Sequence, residues 1–394
     1  MIRHLFTLIW NRKRANFLLV IEIFLAFVVL FVVGSVLVFN QQNYRAPLGF
    51  NYEQVWAVGL YPSTAPQSNA ELAQTQQQIM QRLRTLPGVR FVSRGSSNLP
   101  FFGSHNSSDL SRVKKNSGLN HNIYQVDDER RAVLDLEVKA GRWFDKRDDA
   151  TQFPAILTED SQRELFGNES AVGQRLHSGD RELTVVGVVA NFRSNGDLSA
   201  PYPGVFVRIS PQDSTFNHLS KLLVRVQPGA GAALEKQMTK EMLAIGKGWS
   251  VGITPLPEQR AIQLKQVLVP IAALVIICVF LVVNVALGLF GVLWYNISQR
   301  RAEIGLRRAL GAGRQAISGQ FLGEVMVIAT LGLTLGLAVA AQFPLLGVQG
   351  LGLAVYGPAM LLAVSVIYIL TAICALYPSR LAAGIRPAVA LREE

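Results

Sequence analysis

The sequence predicts a membrane α-helical protein: four transmembrane helices, with a large α/β extracytoplasmic domain inserted between helices 1 and 2. Three observations predict it. Half of the 394 residues are apolar. Four apolar runs are long enough to cross a hydrocarbon layer of about 30 Å, which takes about 20 helical residues. The first two runs are separated by a long mixed-polarity region with 26 basic and 22 acidic residues between positions 40 and 266. Long segments of balanced charge translocate largely regardless of charge, so this region is expected on the outside.

Residues 1–16 form a basic N-terminal amphipathic segment with Arg3, Arg12, Lys13 and Arg14 and no acid, which places it in the cytoplasm. The first span covers 17–39. Its apolar run is too long for a signal-peptide core, and no small-x-small cleavage site follows before Asn40, so it is expected to be an uncleaved anchor. The second span covers 267–294, the third 321–341 and the fourth 353–377. The loop at 295–320 carries Arg300, Arg301, Arg307, Arg308 and Arg314 against Glu303 alone and is assigned to the cytoplasm, as is the tail at 378–394. The short external loop at 342–352 has no charge. Trp10, Trp294, Tyr295 and Tyr377 sit near span ends, where interfacial aromatics belong. The resulting orientation places both termini inside.

The domain at 40–266 alternates helical and strand patterns. Leu72, Ile79, Leu83 and Leu86 recur at helical spacing until Pro87-Gly88 stops them, and 89–93 then reads as a strand. A helix is expected at 159–166, ended by Gly167, followed by strands at 182–189 and 221–226. Leu234, Met238, Met242 and Ile245 mark a further helix. The Gly-, Ser- and Asn-rich stretch 95–122 reads as a mobile loop or an insertion between subdomains.

Several function classes are excluded. The net charge of +11 comes with no nucleic-acid reader motif, and its basic residues are scattered. Both cysteines, Cys278 and Cys374, lie in apolar runs, which argues against a disulfide framework or a zinc site. His105, His121, His177 and His218 have no metal spacing and read as surface residues. There is no G-x-x-x-x-G-K-[ST] phosphate loop, no G-x-S-x-G elbow and no H-E-x-x-H pair, so neither a catalytic residue nor a metal is assigned. A chain of intramembrane charges marking an ion pathway is also missing. Glu22 lies about two turns into the first span, with an arginine at the membrane surface or a partner subunit as candidate counter-charge. Glu324 is expected at the interface, where an acid costs little. Asn284 is a candidate for a hydrogen bond across a helix interface or to a neighbour inside the subunit.

The most informative segment is Arg301-Ala-Glu-Ile-Gly-Leu-Arg-Arg-Ala-Leu-Gly-Ala312. As a helix it pairs Glu303 with Arg307 at i, i+4 and puts Arg301 and Arg308 on one face, with Gly311 as a stop. A solvated basic helix would explain the arginines alone. The small and apolar residues Ile304, Gly305, Ala309 and Gly311 among the charges suit insertion into a protein groove better.

This segment resembles the coupling loop of the cell-division-permease-like family of ABC transporters, of FtsX-like or macrolide-exporter (MacB) type. The closing stretch from Ala375-Leu-Tyr-Pro-Ser-Arg to Ile385-Arg-Pro-Ala-Val-Ala-Leu-Arg392 is similar to the end of the same family. Leu86-Pro-Gly-Val89, Phe166-Gly167, Val172-Gly-Gln174 and Val185-Val-Gly-Val-Val189 are similar to its periplasmic core domain.

The resemblance implies a permease without enzymatic activity of its own. A dimer of ABC ATPase subunits would hold ATP and magnesium, and the 301–312 helix would sit in a groove of that ATPase. The first two spans would pass its motion outward, expelling a hydrophobic or amphipathic substrate (peptide, antibiotic, lipid or lipoprotein) from the periplasmic side. A periplasmic adaptor and an outer-membrane channel are further partners of such systems. The alternative reading is a signalling subunit that activates a periplasmic cell-wall hydrolase and transports nothing; an ion-coupled secondary transporter is weakened by the low span count. One departure bears on assembly. First spans in the family tend to carry glycine, whereas Glu22 to Val33 is bulky, so a heterodimer with a second permease is expected.

Overall fold

The computed structural model describes residues 13–63, 67–112, 118–150, 153–209 and 220–384. Most of the N-terminal segment 1–16, His218 and the Arg386–Arg392 part of the closing motif lie outside the described residues. The chain forms two compact units, Met1–Gln42 with Leu268–Glu394, and Asn43–Val267.

The first span lies in a helix, α1, over Lys13–Arg45. It outruns the expected 17–39 because the polar residues after Phe39 contain no breaker before Pro47.

The inserted domain follows with β1 (Val55–Tyr61), α2 (Asn69–Arg84), β2 (Val89–Gly95), β3 (Ser107–Leu110), β4 (Leu119–Val126) and α3 (Arg130–Leu134). Next come β5 (Val138–Gly141), β6 (Pro154–Thr158), α4 (Glu159–Phe166), β7 (Arg175–Ser178) and β8 (Arg181–Val189). The domain closes with β9 (Gly204–Arg208), β10 (Lys221–Val226), α5 (Ala232–Ile245) and β11 (Ser250–Pro255). The strands join in the order β11-β1-β10-β2-β4-β9-β6-β8-β5, with β3 on β4 and β7 on β8.

Local chemistry sets these elements. Ser68 and Glu71 exchange side-chain and backbone hydrogen bonds in a capping box that starts α2. Thr158 caps α4 through the Ser161 amide, and its hydroxyl also accepts from the Gly204 amide at 3.1 Å, tying the helix start to β9. Helices α2 and α5 cover the antiparallel half of the sheet, burying Ile79, Leu83 and Met238 against Val58, Val92, Leu222 and Val224. A second core forms around Ile156, Tyr124, Phe192 and Phe206.

The two halves of the sheet meet at a single β2–β4 pair, Gly95 with Val126. Any Cβ at Gly95 would come within 2.8 Å of the Gln125 carbonyl and would collide with the Arg130 guanidinium. Burial pushes that guanidinium down to about 10, and the nearby Asp127 carboxylate opposes the shift.

The stretch 95–122 departs from the expected loop, since it contains β3 and the start of β4. Its polar residues hold structure: the Asn98 amide bonds the carbonyls of Asn106 and Ile123 at 3.0 and 2.9 Å. His121 is likewise not a surface residue. It is fully buried because β4 is paired on both sides, and its Nδ1 lies 2.7 Å from the Leu119 carbonyl. Among the described residues no group of histidine, cysteine and carboxylates is placed to hold a metal.

The remaining helices are α6 (Leu256–Ser298), α7 (Arg301–Ala309), α8 (Arg314–Ala340) and α9 (Leu353–Gly384), with a single helical turn at Gln342–Leu345. Among the described residues four helices, α1, α6, α8 and α9, are long and apolar enough to cross a membrane. Helix α6 starts eleven residues before the expected span, because its first turns are polar and apolar patterning does not register them. Helix α8 starts at Arg314 rather than 321 for the same reason.

The glycines that receive the bulky run of α1 are on α8. A Cβ at Gly332 would lie 2.8 Å from the Ile23 side chain and 3.0 Å from the Val20 carbonyl, and one at Gly336 would enter the Phe27 ring. Gly332-Leu-Thr-Leu-Gly336 is thus a G-x-x-x-G groove that receives the bulky run of α1 within the same chain.

Candidate functional site

Helix α7 is short and would be marginal alone, so its position depends on anchors. Two are visible. Ile304 is 3% exposed and packs with Ile297 at the end of α6 and with Ile317 and Phe321 on α8. Arg300, at the bend before α7, is also buried; its Nη1 donates to the Glu324 carboxylate at 2.9 Å, and its guanidinium lies 5.8 Å from the Phe321 ring centre.

Around these runs a chain of polar contacts. Arg307 pairs with Glu303 at 2.6 Å and donates to Gln320 at 2.7 Å, and Gln320 donates to Glu324 at 3.1 Å. Helix α7 is therefore pinned to α8 as well as following from α6. At its far end Gly311 adopts φ +94°, where the Gly311 amide bonds Arg308 O and the Ala312 amide bonds Arg307 O. This is a Schellman stop, which favours glycine at that position.

The structure divides the segment's residues into two sets. Glu303, Arg307 and Gly311 hold and end the helix as the spacing predicts. Arg301 opens it, and Arg308 is half-buried. Ile304 and Gly305, expected in a partner's groove, are instead turned into the protein's own fold, because Ile304 completes the small core with Ile297, Ile317 and Phe321. The outward apolar residues are Leu306, 53% exposed, and Leu310, 80% exposed, flanked by Ala302 and Ala309.

The sequence gives no sign of the role of Glu324 as the acceptor for Arg300. The two lie 24 residues apart and no local pattern links them.

The polar residues of the spans behave differently. Asn284 is exposed and its side chain donates to Phe280 O of its own helix at 2.8 Å, so it does not bond across an interface within this chain. Glu22 lies against Gly288 of α6 and has no ion pair or hydrogen bond among the described residues.

Replacing Ile304 by Ala is expected to cost about 2 kcal/mol locally, the low end for truncating a buried Ile, since the cluster is small. Hydrogen exchange of the α7 amides would then rise while that of α9 stays unchanged.

Comparisons with known proteins match both units. Residues 17–241 match the family model described as a MacB-like periplasmic core domain, and residues 274–387 match an FtsX-like permease C-terminal region. A macrolide export ATP-binding/permease protein of Pasteurella multocida is 26% identical over 301 residues, covering 73% of this chain and 45% of that protein. A relative of the same description from Paracoccus denitrificans is 30% identical over 224 residues, covering 54% and 32%. The chain thus spans less than half the length of these curated relatives. Among solved structures, the periplasmic region of MacB from Actinobacillus actinomycetemcomitans aligns with a TM-score of 0.37 and 16% identity, covering 55% of this chain and 93% of that one.

Proposed function

We infer, from the premise that this chain belongs to the FtsX-like ABC-transporter permease family with a MacB-like periplasmic core domain, that it converts ATP hydrolysis into mechanical motion across a membrane. The observation that carries the reading is α7: an apolar edge, Leu306 and Leu310, presented on a helix fixed to its neighbours by Ile304, Arg300 and the Arg307–Gln320 bond. A solvated basic helix needs neither an outward apolar edge nor buried anchors.

The partner is an ABC ATPase dimer that binds ATP and magnesium outside these residues. Its closure pushes on α7 and shifts α6 and α8 with it. The substrate class is hydrophobic or amphipathic and is taken from the periplasmic side, in keeping with the macrolide export named for the relatives. The membrane is the bacterial inner membrane, with α7 and both termini on the cytoplasmic side and the inserted domain in the periplasm. A periplasmic adaptor and an outer-membrane channel would complete an export path.

The second permease of the pair is proposed to be a different, related chain, since the run from Glu22 to Val33 carries no glycine for close self-packing of first spans. A crosslink joining two copies of this chain in the native complex overturns that assignment.

The test is purification in detergent with native partners and measurement of ATP turnover, for wild type and for Glu303→Ala with Arg307→Ala. Both side chains are partly exposed. Such a pair stabilises a helix by only about 0.3–0.5 kcal/mol, so the fold survives. Loss or uncoupling of the copurified ATPase in the variant is the expected result. An ATPase that never copurifies, with a variant that behaves as wild type in cells, would contradict the reading.

A further inference from the structure

The chain passes between its two units at Gln42–Asn43 and again at Val267–Leu268. One segment of the inserted domain, Phe192-Arg-Ser-Asn-Gly-Asp-Leu-Ser199, grips the polypeptide beside both passages.

On the α1 side, the Asn43 amide donates to Leu198 O at 3.3 Å, and the buried Arg193 donates to Ala46 O at 2.7 Å. The same guanidinium donates to Asp197 O and Ser199 O at 2.8 and 2.6 Å, and the Arg193 amide donates to Leu48 O at 3.0 Å. On the α6 side, Asp197, itself buried, receives two hydrogen bonds from Arg260, each at 2.8 Å. Arg260 also donates to the Tyr52 hydroxyl at 2.8 Å and stacks 4.9 Å from that ring centre. Gln263 donates to Asn195 O at 2.6 Å. Gly196, at φ +92°, leaves room for Gln263, because a Cβ there would collide with the glutamine side chain.

We propose that the 192–199 segment is a clasp that locks the end of α1 and the start of α6 to one another and to the inserted domain, so that displacing either helix carries both. Four features argue for this over ordinary loop packing. The bidentate Arg–carboxylate fork fixes orientation as well as distance. Arg193 spends its donors on carbonyls from two different segments. The grip falls beside both places where the chain changes unit. Finally, Asp197 is shared: Arg193 holds its carbonyl while Arg260 holds its carboxylate, so the two sides of the clasp meet in one residue. What the clasp transmits, though not its existence, rests on the reading of α7 as a docking helix.

The test is hydrogen exchange on the full chain in lipid nanodiscs without nucleotide, comparing wild type with Asp197→Asn. The substitution keeps size and removes the charge that orders Arg260. Loss of a hydrogen-bonded charge pair of this kind predicts a rise of roughly tenfold or more in exchange. The rise is expected at 44–48 and at 258–263 together, with unchanged protection in β10 showing that the domain remains folded. The charge swap Asp197→Arg with Arg260→Asp is expected to recover protection on both sides. A rise confined to 193–199, or at one side only with no recovery in the swap, overturns the clasp. Because no ATPase is present, this outcome is independent of whether α7 docks one: a clasp that holds while no ATPase ever binds would count against the docking reading alone.

Discussion

Leu306→Asp combined with Leu310→Asp is expected to abolish copurification of the ATPase and to stop ATP-dependent activity while leaving the permease folded. Each leucine buried in a partner groove contributes about 1.5–3 kcal/mol. Removing both is therefore worth a hundredfold or more in affinity, before the cost of placing two carboxylates in an apolar groove. The fold is insulated from the change because the two side chains are 53% and 80% exposed, and exposed substitutions away from caps and cores rarely move stability by more than about 0.5 kcal/mol. Pull-down of the ATPase with quantified stoichiometry reads the effect. Retained binding in the double variant would mean that α7 docks through another face or does not dock. The contrast with Ile304→Ala is informative, since that substitution loosens the helix from within and leaves the docking edge chemically intact.

Gly336→Leu is expected to break the helix bundle, and far more severely than Thr334→Leu two positions away. Phe27 is fully buried, and its ring occupies the space a side chain at 336 would need. Overpacking a filled site costs about 1–3 kcal/mol when neighbours can move aside; here the obstacle is a ring packed parallel to Phe31 at 6.3 Å, itself in contact with Phe343 and Tyr356. Thr334 is exposed on the opposite face and tolerates the same leucine. The readout is the temperature at which the detergent-solubilised protein loses its monodisperse elution peak. Equal temperatures for the two variants would show that α1 does not sit in the 332–336 groove. Truncating Phe27 to Ala in the Gly336→Leu background is expected to restore part of the loss.

Much of this architecture was legible in the sequence, for identifiable reasons. Helix α4 matches the expected 159–166, where Gly167 ends it as the sequence indicates, and strand β10 matches 221–226 because its apolar run is bounded by polar residues. The Glu303–Arg307 pair and the Gly311 stop were local in sequence and hence readable. Contacts made over long separations were not. Nothing near Arg300 announces Glu324, and nothing near Arg193 announces Ala46. The inward turn of Ile304 follows from its partners Ile317 and Phe321, which approach only once α8 folds back. The glycines at 332 and 336 were hidden inside an apolar run, where spacing looks unremarkable unless the partner face is known. Strands β3 and β4 were hidden for the opposite reason, because polar residues that read as loop are consumed there by hydrogen bonds such as those of Asn98.

If α7 carries the motion of a partner ATPase into this protein, a photo-crosslinking residue placed at Leu310 in native membranes forms an adduct with a protein that carries an ATP-binding phosphate loop, and its yield changes when nucleotide is added. Adducts with lipid or with a second copy of this chain alone, unaffected by nucleotide, would mean that α7 is not the docking helix.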